Sequence, residues 1–295
     1  TKTSINLSPE PTKIKITPMF FNYCLTYVTL IAIISSSKLR LVKSLSMGEP
    51  IKNVVIAIAM EAEAAPFVKH LSLESDDTFF PATTPFQAFR GQYKNCDVTV
   101  VTNGKDDVYG TGVDNVGTVP AAMAAFLALN KLDGKADLLI NAGTCGGFKR
   151  KGAEIGDVYL TTAAANHDRR IPIPDFTSYG IGKIESSNVS NLASEINAKL
   201  GICTTSNSLD NNDDDDTLMV QNDASVKDME AAAIAWSCKL TGTPHFGIKV
   251  VTDIVDGDQP TQDEFMENLG TAAKSLQESL PKVIEYVCGR SHEEL

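Results

Sequence analysis

Residues 51–59 (IKNVVIAIA) form an almost unbroken apolar, β-branched run, and nothing else in the chain limits the fold as strongly. A strand with one wet face alternates apolar and polar residues. A continuous run must be covered on both faces. Met60-Glu61-Ala62-Glu63-Ala64-Ala65-Pro66-Phe67 then turns straight into helix-forming sequence. Residues 136–141, 156–160 and 245–254 repeat the strand pattern between helical stretches. Strands alternating with helices predict an α/β fold, with helices on both faces of a central mixed, twisted sheet in three α/β/α layers. At 295 residues and 43% hydrophobic content, the chain can bury a large core.

A second stretch, Lys227-Asp228-Met229-Glu230 followed by Ala231-Ala232-Ala233-Ile234-Ala235-Trp236, predicts a helix of small residues that packs close to a sheet. Its carboxylates fall where the helix begins, near free N–H groups and the positive dipole end. Thr241-Gly242, with Pro244 beyond, marks the stop. Residues 245–254 then predict a buried strand ending in Thr252-Asp253. Ligand crevices of α/β sheets lie at the carboxyl ends of strands. Taken alone, Glu230 reads as a dipole carboxylate and Asp253 as a turn residue. Glu61 and Glu63 read as first-turn acids with no obvious cationic partner.

Residues 89–101 predict a hairpin, and 116–129 a helix after a glycine-rich loop that lacks the G-K-[ST] of a P-loop. Three glycines in 142–148 sit just past a predicted strand, where backbone N–H groups can approach a ligand. The stretch is not G-x-G-x-x-G, which argues against a dinucleotide. His167, in a loop over 166–176, reads as a structural hydrogen-bonder. Residues 186–200 predict a weakly amphipathic helix, and 261–288 a long amphipathic helix that closes the domain. The acidic run 210–216 reads as a solvated loop, because it lacks the glycine turn and terminal glutamate of an EF-hand. The six cysteines are scattered, with no C-x-x-C and no His at metal spacing, which predicts free thiols, no metal and a reducing, cytoplasmic setting.

A net charge of −11 argues against nucleic acid as a partner. The charge is uneven: six of the 26 basic residues but one of the 37 acidic ones precede residue 47. Residues 1–46 therefore read as an extension distinct from a body over 47–295. The apolar run 19–34 is short for a membrane span. Targeting segment, anchor and sequence outside the working protein are three open readings; the last is favoured. The body itself is expected to have no membrane partner.

Four motifs then stand together: Met60-Glu61-Ala62-Glu63, Asn141-Ala142-Gly143-Thr144-Cys145-Gly146-Gly147, Asp228-Met229-Glu230-Ala231-Ala232-Ala233 and Val251-Thr252-Asp253. Through them the body resembles the purine and uridine phosphorylase superfamily, and within it the plant-type 5′-methylthioadenosine nucleosidases. Asn166-His167-Asp168-Arg169-Arg170-Ile171-Pro172-Ile173-Pro174 adds a plant-like signature. The resemblance implies a nucleoside phosphorylase-like fold, a small nucleoside substrate, no cofactor and a homodimer. It implies hydrolysis of the N-glycosidic bond of methylthioadenosine to adenine and methylthioribose, with S-adenosylhomocysteine as a further candidate substrate.

By the same resemblance Asp253 matches the general acid and Glu63 the residue that orients and deprotonates water. Glu230 matches the glutamate holding the ribose hydroxyls, and Met229 the residue against the sugar. Thr144 and Lys249 fall around the water, and Leu209 along the base pocket. Ser206 and Ala232 stand where relatives have glycine, which bears on pocket shape. Two alternatives stay open: a phosphorylase using Arg150, Arg169 or Arg170 for phosphate, and a non-catalytic storage-type relative.

Overall fold

The computed structural model describes residues 48–210 and 212–295. The reading of residues 1–46 lies outside these. The sheet has ten strands: β1 (Asn53–Ile58), β2 (Glu74–Ser75), β3 (Gln87–Tyr93), β4 (Cys96–Thr102), β5 (Leu138–Gly147), β6 (Val158–Asn166), β7 (Ile184–Glu185), β8 (Lys199–Thr205), β9 (Ala224–Asp228) and β10 (His245–Ile254). The α-helices are α1 (Glu61–His70), α2 (Thr118–Lys131), α3 (Thr177–Ile181), α4 (Ser190–Ile196), α5 (Asp213–Gln221), α6 (Ala231–Thr241) and α7 (Thr261–Val287).

The apolar run over β1 does what continuous apolarity requires. Val54, Ile56 and Ile58 pack on one face with α1, α4 and α7, and Val55 and Ala57 on the other with α2 and α6. Fully burying each such aliphatic side chain contributes about 1.5–3 kcal/mol. β1 lies parallel between β4 and β5. This is the expected mixed, three-layer α/β arrangement. The far end of the sheet closes. β10 pairs with β5 on one side and with β6 on the other, and β6, β8 and β9 lead back to β5. The carboxyl ends of β5, β9 and β10 are thereby neighbours.

Several elements differ from the sequence reading. β5 runs on through Gly147, because Gly146 and Gly147 pair with both β10 and β9. The glycines lie inside the strand, not past it. The helix expected over 186–200 is only α4, and Asn197, in the left-handed region at φ 56°, ends it. β8 and β9 were not anticipated. Lys227 and Asp228 end β9, and the helix starts at Ala231. The acidic run is no loop: Asn212 caps α5 by accepting the N–H groups of Asp214 and Asp215, and the four aspartates occupy the first turn. That is the favourable end of the helix dipole for negative charge. Glu61 does have a cation, Lys105, at 3.2 Å.

Candidate active site

β1 delivers the chain into α1, and this junction buries Glu63. Its Oε1 accepts the Thr144 N–H of β5 at 2.8 Å. Burial pushes the Glu63 carboxyl above its ordinary range, while the Thr144 bonds and the Lys249 charge pull against that rise.

β9 ends at Asp228, which is buried against Lys249 of β10 at 2.8 Å, both side chains 1% exposed. Asp228 also accepts the Thr205 hydroxyl at 2.6 Å and the Ala231 N–H at 2.9 Å. Burial alone would raise its carboxyl; the Lys249 ammonium and these bonds outweigh burial and hold it below the ordinary value. Burial pulls Lys249 down, the Asp228 charge more than reverses this, and its ammonium is held above the ordinary range.

Glu230, half-buried, starts α6. Its Oε1 accepts the Gly117 N–H at 2.8 Å. Gly117 has φ 100°, which favours glycine, and it begins α2. Asn207 Oδ1 caps the same junction, accepting the Thr118 N–H at 2.9 Å and its hydroxyl at 2.8 Å. Burial first, and the Asp228 charge second, push the Glu230 carboxyl up to about 7.

Asp253 is reached through a bulge. Val251 pairs with Cys145, yet Asp253 pairs with Gly146, so Thr252 is the extra residue. Bulges re-aim side chains, and this one aims a buried carboxyl. A Cβ on Gly146 would lie 2.7 Å from Asp253 Oδ2 and 2.6 Å from Val255 Cγ2, so the glycine admits the acid. Burial raises the Asp253 carboxyl above its ordinary range, and the Lys227 charge pulls the other way. The Thr252 hydroxyl lies 3.0 Å from the Cys145 carbonyl and 2.7 Å from Asp253 Oδ1. It has one hydrogen. When the carbonyl takes that hydrogen, the second bond needs a proton on Asp253. When Asp253 is ionised, the hydroxyl turns to the carboxylate and the carbonyl loses that bond.

Glu63, Thr144, Glu230 and Lys249 thus form one cluster, with Asp228 as the member the sequence reading did not assign. Asp253 lies further along β5, opposite Gly146 and two positions past Thr144, and the charges acting on it are Lys227 and Glu264 rather than those of the cluster. Leu209 is 39% exposed on the loop after β8, and its carbonyl accepts the Lys227 ammonium at 2.8 Å. Met229 is half-buried between Asp228 and Glu230. His167 is buried, its Nδ1 3.0 Å from the Thr204 hydroxyl, and burial lowers it to about 4. Arg150 pairs with Asp256, Arg170 with Asp215, and Arg169 donates to the carbonyls of Tyr179 and Gly180. Among the described residues no group of three His, Cys, Asp or Glu side chains could hold a metal.

Residues 53–285 match the model of the phosphorylase superfamily. An Arabidopsis thaliana 5′-methylthioadenosine nucleosidase is 44% identical over 83% of this chain and 91% of its own length. An Arabidopsis 5′-methylthioadenosine/S-adenosylhomocysteine nucleosidase is 43% identical, over 82% and 94%. The solved structure of an Arabidopsis 5′-methylthioadenosine nucleosidase in apo form superposes with a TM-score of 0.80, covering 83% of this chain and all of that one.

Proposed function

Since this chain belongs to the phosphorylase superfamily, and within it to the 5′-methylthioadenosine nucleosidases, we propose that it hydrolyses methylthioadenosine to adenine and 5-methylthioribose. The bond breaks through a cation-like ribosyl group, and adenine leaves poorly until its imidazole ring is protonated. Asp253 supplies that proton. Burial raises this carboxyl above its ordinary value, the direction a general acid needs, and general acid catalysis typically contributes about a hundred- to ten-thousand-fold.

Glu63 takes the complementary role. It orients water and accepts its proton as the C–O bond forms, held by the Thr144 N–H with the Lys249 charge nearby. Glu230 accepts from the ribose hydroxyls, and Met229 packs on the sugar. Thr144 and Lys249 border the water, and Leu209 borders the base. Asp253 has then lost a proton and Glu63 gained one, and exchange with solvent resets both.

The observation that carries this reading is Glu63, a buried carboxylate where a phosphorylase needs cations. Phosphate would meet like charge there, and the arginines available for a dianion are committed to Asp256, Asp215 and backbone carbonyls. Chromatography of methylthioadenosine incubated with the protein in phosphate-free buffer tests it. Release of adenine is expected; no release would refute the reading. S-Adenosylhomocysteine run in parallel settles the longer substituent, on which the names of the two Arabidopsis relatives differ.

The assembly belongs to the same reading. Val119, Met123 and Phe126 of α2 and Trp236 and Leu240 of α6 are each at least 40% exposed. An apolar face of this kind marks an interaction site. A second copy of this chain covers it in the proposed homodimer, and sedimentation as a monomer would refute that.

A further inference from the structure

Lys227 is buried, and the chemistry above does not use it. It immediately precedes Asp228 on β9. Successive side chains on a strand point to opposite faces, so the two charges serve different sides of the sheet. Asp228 meets Lys249. The Lys227 ammonium donates to the carbonyls of Leu209 at 2.8 Å and Asp210 at 2.7 Å. An ammonium has three hydrogens, so one remains.

The pairing register shows what lies on its side. Gly146 of β5 is the partner of Lys227 on β9 and also of Asp253 on β10. The three residues form one row across three strands, and the middle one has no side chain. The close approach of Asp253 Oδ2 to Gly146 puts that carboxyl over the gap. Of the charges acting on Asp253, Lys227 is the attractive one and Glu264 of α7 the repulsive one. Lys227 in turn feels Asp253 most, then Asp215, Asp210 and Asp216, while His167 feels its charge. Burial lowers the Lys227 ammonium from its ordinary value.

We propose that Lys227 is a positioning residue of this active site: its ammonium clamps the backbone of the loop carrying Leu209, and faces Asp253 as the charge that carboxylate meets once its proton has gone to the purine. The inference rests on the function proposed above for Asp253 and Leu209. One side chain thereby ties the base pocket to the acid. Without the charge, Asp253 holds its proton more tightly. It stays protonated to higher pH but is a weaker acid at every pH. Without the donors, the loop loses its anchor and base binding weakens. A lysine that only anchored the loop would leave the Asp253 titration unchanged.

Three variants separate these effects. K227M removes charge and donors, K227Q keeps donors without charge, and K227R keeps both. The Asp253 carboxyl is followed by 13C NMR in protein labelled at aspartate Cγ and assigned with D253N. Adenine release is measured against pH in parallel. In K227M the Asp253 titration should move up by about one pH unit, the low end for an opposite charge at close range. The basic limb of kcat/KM should move with it, kcat should fall about tenfold or more, and KM should rise. K227Q should recover KM but not the titration. K227R should recover both. An unchanged Asp253 titration in folded K227M and K227Q would overturn the proposal. K227Q supplies the measurement should K227M fold poorly. The NMR readout needs no turnover, so a wild-type protein that released no adenine would remove the proposed function without deciding this result.

Discussion

Lys249→Met would leave Asp228 buried without its cation. The pair is 2.8 Å apart with both side chains 1% exposed, so solvent cannot replace the lost partner. Removing one member of such a pair costs about 3–5 kcal/mol. Asp228 keeps the Thr205 hydroxyl and the Ala231 N–H, which places the loss near the lower end. At about 2–4 °C per kcal/mol for a body of this size, the melting temperature should fall by about 6–12 °C. The window is wide. Lys249 is raised above 10.5, so its contribution is complete below that pH and is lost only as pH climbs through the folded value. Asp228 is lowered from 3.8, so its contribution is complete above that pH and is lost as pH falls below it. Urea denaturation at pH 7 therefore reads the whole effect. A double-mutant cycle with Asp228→Asn should give a coupling of about 1–3 kcal/mol. Lys249 also opposes the rise in the Glu63 and Glu230 carboxyls, so the acidic limb of the rate profile should move to higher pH in the variant. A single-variant loss below about 1 kcal/mol, the range of an exposed pair, or strict additivity in the cycle, would refute the reasoning.

Three further outcomes follow from the geometry. Gly146→Ala puts a Cβ 2.7 Å from Asp253 Oδ2, so kcat should fall at least tenfold with a smaller change in melting temperature; near-normal kcat would remove the glycine from its role. Asp253→Asn keeps shape without the acid proton, so adenine should still bind in calorimetry while turnover drops about a hundredfold or more. Glu230 is raised from 4.5 to about 7, so the fold favours its protonated form, and the stability this confers is lost as pH rises through that window. Glu230→Gln mimics the protonated form. It should match wild type near pH 4 and melt higher at pH 8, and parallel curves would contradict the linkage.

The chain wrote some of this plainly and some not at all. β1 is a nearly continuous apolar run, and β10 is one interrupted by Lys249, Thr252 and Asp253; covering on both faces follows from local sequence. β9 is five residues ending in Lys-Asp, and a short strand carrying two charges looks like a helix start. Its identity depends on Gly146, Gly147 and β8, which are distant in sequence. Closure of the far end of the sheet has the same non-local origin, since β10 finds β5 and β6 only in space. The acids lay in recognisable motifs. Their partners did not: Lys249 meets Asp228 from 21 positions away, and Lys227 reaches back to carbonyls, which carry no sequence signal. The bulge that aims Asp253 leaves no mark either, because Val-Thr-Asp fits a regular strand equally well.

The central claim is that water, not phosphate, takes the ribosyl group. Methylthioadenosine incubated with the protein in phosphate buffer and followed by 31P NMR tests it most directly. The account predicts free methylthioribose, adenine released at a rate independent of phosphate, and no new phosphorus resonance. A growing sugar-phosphate signal with a phosphate-dependent rate would contradict it and assign Glu63 some other task.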